Sequence, residues 1–149
     1  MAHGLSQLAV MSLISIFAKW LKIMASPSVN VQFVYSPIWQ DSLVSAVKDT
    51  PNILQKIDEF RKVKSENPIA NFGSNDGPFI SDGIYKRYLP KARKAKLSND
   101  MSIVYELSGV DPKIIYLYGV FTHANLGTGQ PANLNRQKSM ATSLYNIRN

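Results

Sequence analysis

The sequence predicts an α+β domain. An antiparallel sheet of about four strands, in the order strand, two helices, three strands, packs against a helix hairpin, with further helices at both ends. Three observations carry this. Val29-Asn-Val-Gln-Phe-Val-Tyr35 alternates apolar and polar residues, the period of a half-buried strand. Two stretches of helical periodicity follow, opened by Ser36-Pro37 and Thr50-Pro51, the chemistry of a helix start. Met101–Leu107 and Lys113–Phe121 are then rich in β-branched and aromatic residues, and Ser108-Gly-Val-Asp-Pro112 between them is a turn sequence.

A chain of 149 residues reads as one domain with its own core. A hydrophobic share of 45% excludes wholesale disorder. The absence of cysteine excludes disulfides, thiolate metal sites and a cysteine nucleophile, and it fits a reducing, cytoplasmic setting. A net charge of +7 and a pI near 9.7 point to a polyanionic partner, nucleic acid or a membrane surface.

In chain order, Leu5–Met24 places Leu5, Leu8, Leu13, Ile16, Phe17, Trp20 and Leu21 at helical spacing. Residues 1–24 therefore read as an amphipathic helical extension that packs on the domain or on a second protomer. Lys19 and Lys22 argue against a membrane span, and the missing basic lead-in argues against a signal peptide. Ala25-Ser-Pro-Ser28 is a linker, and the domain occupies residues 29–149. After its first strand, the helix Ile38–Lys48 is expected to face Ile38, Leu43, Val44 and Val47 inward. The helix Asn52–Glu66 carries Ile53, Leu54, Ile57, Phe60 and Arg61 along one side. Asn67–Asp82 is a long Gly/Asn/Asp/Ser/Pro-rich loop, in which Asp76 reads as a turn residue.

The next stretch is basic. Within Gly83–Leu97, Lys86, Arg87, Lys91, Arg93, Lys94 and Lys96 cluster around Tyr85, Tyr88 and Pro90. Its first part reads as a strand with Lys86 and Tyr88 on one face, ended by Pro90. The later cations then form a loop over the sheet. Beyond the last strand, Ala124–Asn133 is a second loop, and Leu134–Ile147 resumes helical spacing.

Such a basic stretch suits phosphate binding. Lys86, Arg87, Tyr88, Lys94 and Lys96 are candidates for RNA contact, the tyrosine by base stacking. His123, where the last strand ends, has the side chain whose pKa lies nearest neutrality and is the candidate acid or base. Lys91 and Arg93 are candidates to stabilise a phosphate in the transition state. Asp76 and Asp82 are the acidic options, and Glu106, placed to pair with a nearby lysine, is a weaker one.

Three local features resemble the RelE/YoeB-type superfamily of bacterial toxins, over roughly residues 29–123. Phe33-Val-Tyr-Ser36 is similar to that family's first strand and helix start. Ser81-Asp-Gly-Ile-Tyr-Lys-Arg-Tyr88 is similar to its second strand, and Ile103-Val-Tyr-Glu-Leu107 to its hydrophobic "LVY" strand. The resemblance implies an endoribonuclease that cuts mRNA at the ribosome and is neutralised by a cognate antitoxin. It implies metal-free and cofactor-free attack of a ribose 2′-OH on the adjacent phosphate. It also gives Tyr145 a catalytic claim, since some members use a tyrosine near the C-terminus. Ser102 departs from the family pattern, which places a phosphate-stabilising arginine just before the "LVY" strand. That departure keeps two alternatives open: a non-nuclease toxin of the ParE type, or a basic module that binds RNA or the ribosome.

Overall fold

The computed structural model describes residues 30–79 and 82–149. The extension read at residues 1–24 lies outside them. The elements are β1 (Val31–Tyr35), α1 (Trp39–Asp49), α2 (Ile53–Glu66), β2 (Asp76–Pro78), α3 (Gly83–Tyr88), β3 (Ala92–Lys96), β4 (Met101–Ser108), β5 (Lys113–Thr122), α4 (His123–Leu126) and α5 (Leu134–Arg148). The α+β class is as expected, with corrections to the sheet. It has five strands in the order β1-β5-β4-β3-β2, and it is mixed. β1 runs parallel to β5, and the other pairs are antiparallel. The helix hairpin between β1 and the later strands is a crossover long enough to bring β1 alongside β5 in the parallel sense. Counting hairpin connections alone overlooks that pairing.

The largest correction concerns residues 83–97. Gly83–Tyr88 is a helix and the strand is Ala92–Lys96. Ile84, Tyr85, Tyr88 and Leu89 recur at i, i+1, i+4 and i+5 and pack inward together, which is helical spacing, not alternation. The cations Arg93, Lys94 and Lys96, expected in a loop, lie in the sheet. Lysine and alanine are poor strand formers, and β3 is fixed because it pairs on both edges, with β2 and β4.

Each face of the sheet has a core. On one, Trp39 and Ala46 of α1 and Ile53, Ile57 and Phe60 of α2 pack on Ile103, Tyr105, Ile115, Leu117 and Val120. The inward face of α1 is Trp39, Ser42 and Ala46, with Leu43 and Val47 partly buried. Val44, expected inward, is 47% exposed. The Ser42 hydroxyl takes the inward place by donating to the Trp39 carbonyl at 2.8 Å and accepting the Val120 N–H at 3.1 Å. Ser36, expected to cap α1, lies two residues before the capping position, which Ile38 holds; its hydroxyl accepts the Ile38 N–H at 3.2 Å and donates to the Tyr118 carbonyl at 2.6 Å. Tyr118 is the extra residue of a bulge in β5, between Leu117 opposite Tyr105 and Gly119 opposite Val104.

The second core lies on the opposite face. Val104, Tyr116, Tyr118 and Phe121 are covered there by Tyr85 of α3, by Leu89 just after it, and by Met140, Ala141 and Leu144 of α5. Tyr85 is fully buried in it and is closed to RNA bases. Both faces of the sheet are therefore roofed by helices.

The buried tyrosines give the fold an alkaline limit. Tyr85, Tyr105 and Tyr118 are all 0% exposed, and burial pushes each phenol well above its ordinary 10.0. The unfolded chain gives up these protons first, so their contribution is complete below pH 10 and is lost as pH rises beyond it. Lys64 acts in the opposite sense, because burial holds its ammonium below the ordinary 10.5. Above 10.5 only the phenols still matter, and stability falls. Denaturant midpoints on either side of pH 10, read beside phenolate absorbance, should show three phenols ionising together with unfolding.

Candidate functional site

The candidate residues sort into separate places. His123 opens α4 directly after β5, and its side chain is 40% exposed. Thr122 caps the short helix by accepting the Asn125 N–H at 3.0 Å. The His123 N–H faces the Asp100 carbonyl at 3.2 Å and its carboxylate at 3.1 Å. The ring Nδ1 lies 3.5 Å from Asp100 Oδ1. Asp100 was not singled out in the sequence; it sits in the turn before β4, where an aspartate is unremarkable.

Lys96 ends β3 at the same end of the sheet. It lies opposite Ser102, which lies opposite Phe121, two residues before His123. At about 4.8 Å between strands, the Lys96 and Phe121 backbones are about 10 Å apart. Ser102 is 4% exposed, and its cross-strand neighbour Lys96 is exposed. Lys96 thus stands one strand away from Ser102.

Lys91 and Arg93 do not join this group. Lys91 precedes Lys96 by five residues, about 16 Å along the strand. Arg93 faces the hairpin side, where its Nε donates to the Tyr105 hydroxyl at 3.1 Å. Lys94 faces the other side, 3.4 Å from Asp82 and over the Phe79 ring at 5.1 Å. Lys86 and Arg87 are exposed in the last turn of α3. Beside them Tyr88 meets Tyr145 of α5 edge to face, with centroids 6.5 Å apart. The structure thus brings Tyr145 to the basic face of α3, where it is 45% exposed.

Arg93 borders a buried polar cluster that the sequence did not disclose. Lys64 and Asp76 form an ion pair at 2.8 Å, with side chains 1% and 0% exposed. Lys64 also donates to the Tyr105 hydroxyl at 3.0 Å and to the Ala70 carbonyl at 2.6 Å. Asp76 accepts the Tyr105 hydroxyl and the Phe72 N–H. Asp76 is therefore no simple turn residue: it ties the 67–75 loop to α2 and β4. Glu106, expected to pair with a lysine, pairs instead with Arg148 of α5 at 3.4 Å, and it accepts the Tyr118 hydroxyl at 2.9 Å.

Among the described residues no cluster of His, Cys, Asp and Glu could hold a metal ion, and no helix is long and apolar enough to cross a membrane. A groove of about 570 Å³ opens between α1, α2 and the end of β1, lined by Tyr35, Trp39, Leu54, Asp58 and Arg61 among others.

No protein-family model matches the sequence, and no curated protein matches it. Solved structures do. The toxin in the Escherichia coli DinJ–YafQ toxin–antitoxin complex matches at a TM-score of 0.52 and 18% identity, over 66% of this chain and 98% of that one. YafQ from E. coli strain BL21(DE3) matches at 0.51 and 18%, over 65% and 98%. The domain has the YafQ-toxin fold. The resemblance to RelE/YoeB-type toxins is thereby borne out at the level of the fold. YafQ is matched over almost its whole length, while about a third of this chain has no counterpart in it.

Proposed function

We propose that this protein is the toxin of a bacterial toxin–antitoxin pair and acts as an endoribonuclease on mRNA, working at the ribosome in the cytoplasm. The observation that carries the reading is the position of His123. It is a half-exposed imidazole at the end of β5, between β1 and β4 in a YafQ-type sheet, with its Nδ1 turned to a carboxylate. Attack of a ribose 2′-OH on the adjacent phosphate needs a base for that hydroxyl, an acid for the departing 5′ oxygen, and cations for the charge gathered on phosphorus. His123 supplies the acid or base. Lys96 stands closest among the basic residues of β3 and takes the place of the arginine absent at Ser102. Lys91 precedes β3 and Arg93 is bonded to Tyr105 on the hairpin side, so this reading assigns neither to the phosphate beside His123. Tyr88 and Tyr145, flanked by Lys86 and Arg87, form a stacking and phosphate-binding surface that would hold the RNA or the ribosome outside the reacting bond. An amphipathic antitoxin segment fits the groove between α1 and α2, where apolar Leu54 and Tyr35 lie beside Asp58 and Arg61.

Induced expression in bacteria tests this. Growth should arrest and new mRNA 5′ ends should appear. Lys96→Gln should cut the yield of those ends by tenfold or more, the scale of losing one preorganised charge. Arrest without new ends would favour a ParE-type target instead. No arrest, with salt-steep RNA binding, would leave a binding module.

A further inference from the structure

The turn that carries His123 is held in place by α5 and α3, elements that follow or flank it and do not belong to the strand it ends. Three successive carbonyls of the turn each accept a side-chain donor. Arg136 Nε donates to the Asn125 carbonyl at 2.7 Å, the Tyr85 hydroxyl to the Leu126 carbonyl at 2.5 Å, and Gln137 Nε2 to the Gly127 carbonyl at 2.9 Å. The Gly127 carbonyl also accepts the backbone N–H of Asn133, the cap residue of α5, at 2.9 Å. Gly127 has φ +74, and a Cβ there would lie 2.5 Å from the Asn133 oxygen and 2.8 Å from the Gln137 nitrogen. The start of α5 is thus seated on the turn so closely that only glycine fits. Gln137 and Tyr85 are 2% and 0% exposed, so neither side chain serves solvent.

The Asn125 and Leu126 carbonyls are among those a four-residue helix leaves without backbone partners, and Gly127 is its C-cap. So short a helix is marginal by itself, and a histidine at its first position would sample many ring placements. A catalytic group displaced by about 1 Å loses on the order of 10²-fold in rate.

We infer that Arg136, Gln137 and Tyr85 are positioning residues for His123, and that α5 serves as a clamp on the histidine-bearing turn. None of the three needs to touch RNA. The inference rests on the reading of His123 as the acid or base, and one experiment separates the two.

The full chain is compared with Arg136→Met, Arg136→Lys and Gln137→Leu by NMR of the His123 ring nitrogens, assigned by their loss in His123→Ala, and by RNA cleavage. Arg136 is only partly buried, so its variants keep the fold, which thermal melting checks. The clamp predicts one ordered His123 ring signal in the parent chain. It predicts an averaged or doubled signal in Arg136→Met and Gln137→Leu, with kcat lowered about tenfold and KM unchanged. Arg136→Lys, whose ammonium can still reach the Asn125 carbonyl, should restore both. An unchanged ring signal in Arg136→Met and Gln137→Leu overturns the inference. Cleavage that survives His123→Ala overturns the catalytic reading, while the ring signals still decide the clamp.

Discussion

Asp76→Ala should destabilise the domain by about 3–5 kcal/mol, the cost of leaving one partner of a buried ion pair without the other. Lys64 would then be left without its carboxylate in a site 1% exposed, and Phe72 N–H and the Tyr105 hydroxyl would each lose an acceptor. The loss is measured as a shift in denaturant midpoint at unchanged slope. The double variant Lys64→Met with Asp76→Leu should recover much of it, because an apolar pair leaves no charge unpaired. If Asp76→Ala cost as little as a surface change, within about 0.5 kcal/mol, the cluster would not be holding the 67–75 loop to the sheet. Arg93 would stay folded onto Tyr105 in the parent chain, so Arg93→Ala should affect stability more than RNA cleavage.

His123→Ala should lower RNA cleavage by about 10²–10⁴-fold, the usual contribution of a positioned acid or base, with melting unchanged. The ring is 40% exposed and its backbone N–H, not its side chain, holds the Asp100 carbonyl. Removing the imidazole therefore disturbs little else. Asp100→Asn should give a smaller loss, since it weakens the orientation of Nδ1 without removing the proton carrier.

Much of the fold was legible because it rests on local signals. The alternation of Val31 and Phe33, the Pro-opened helices and the Gly109 turn between β4 and β5 each act within a few residues. What escaped rests on contacts distant in sequence. The parallel pairing of β1 with β5 joins Val31 to Lys113, and nothing near Val31 announces it. The strand at Ala92–Lys96 is built from weak strand formers and exists because two neighbours pair with it. Asp76 looked like a turn aspartate because its partner, Lys64, lies on a helix among other charged residues. For the candidate site, His123 was found because its chemistry and its place at a strand end coincide. Lys96 stood out from its basic neighbours only once the register put it beside Ser102. Asp100, Arg136 and Gln137 carry no sequence signal of their own; their importance lies in which carbonyl or ring they meet.

The most direct test of the central claim is the chemistry of the RNA ends made by the full chain, purified and incubated with translating ribosomes and mRNA. Attack by a 2′-OH leaves a 2′,3′-cyclic phosphate on one fragment and a 5′-hydroxyl on the other. The account predicts these ends with the parent chain and their loss with His123→Ala. New ends that persist in His123→Ala, or no new ends from a chain that still binds ribosomes, would contradict it.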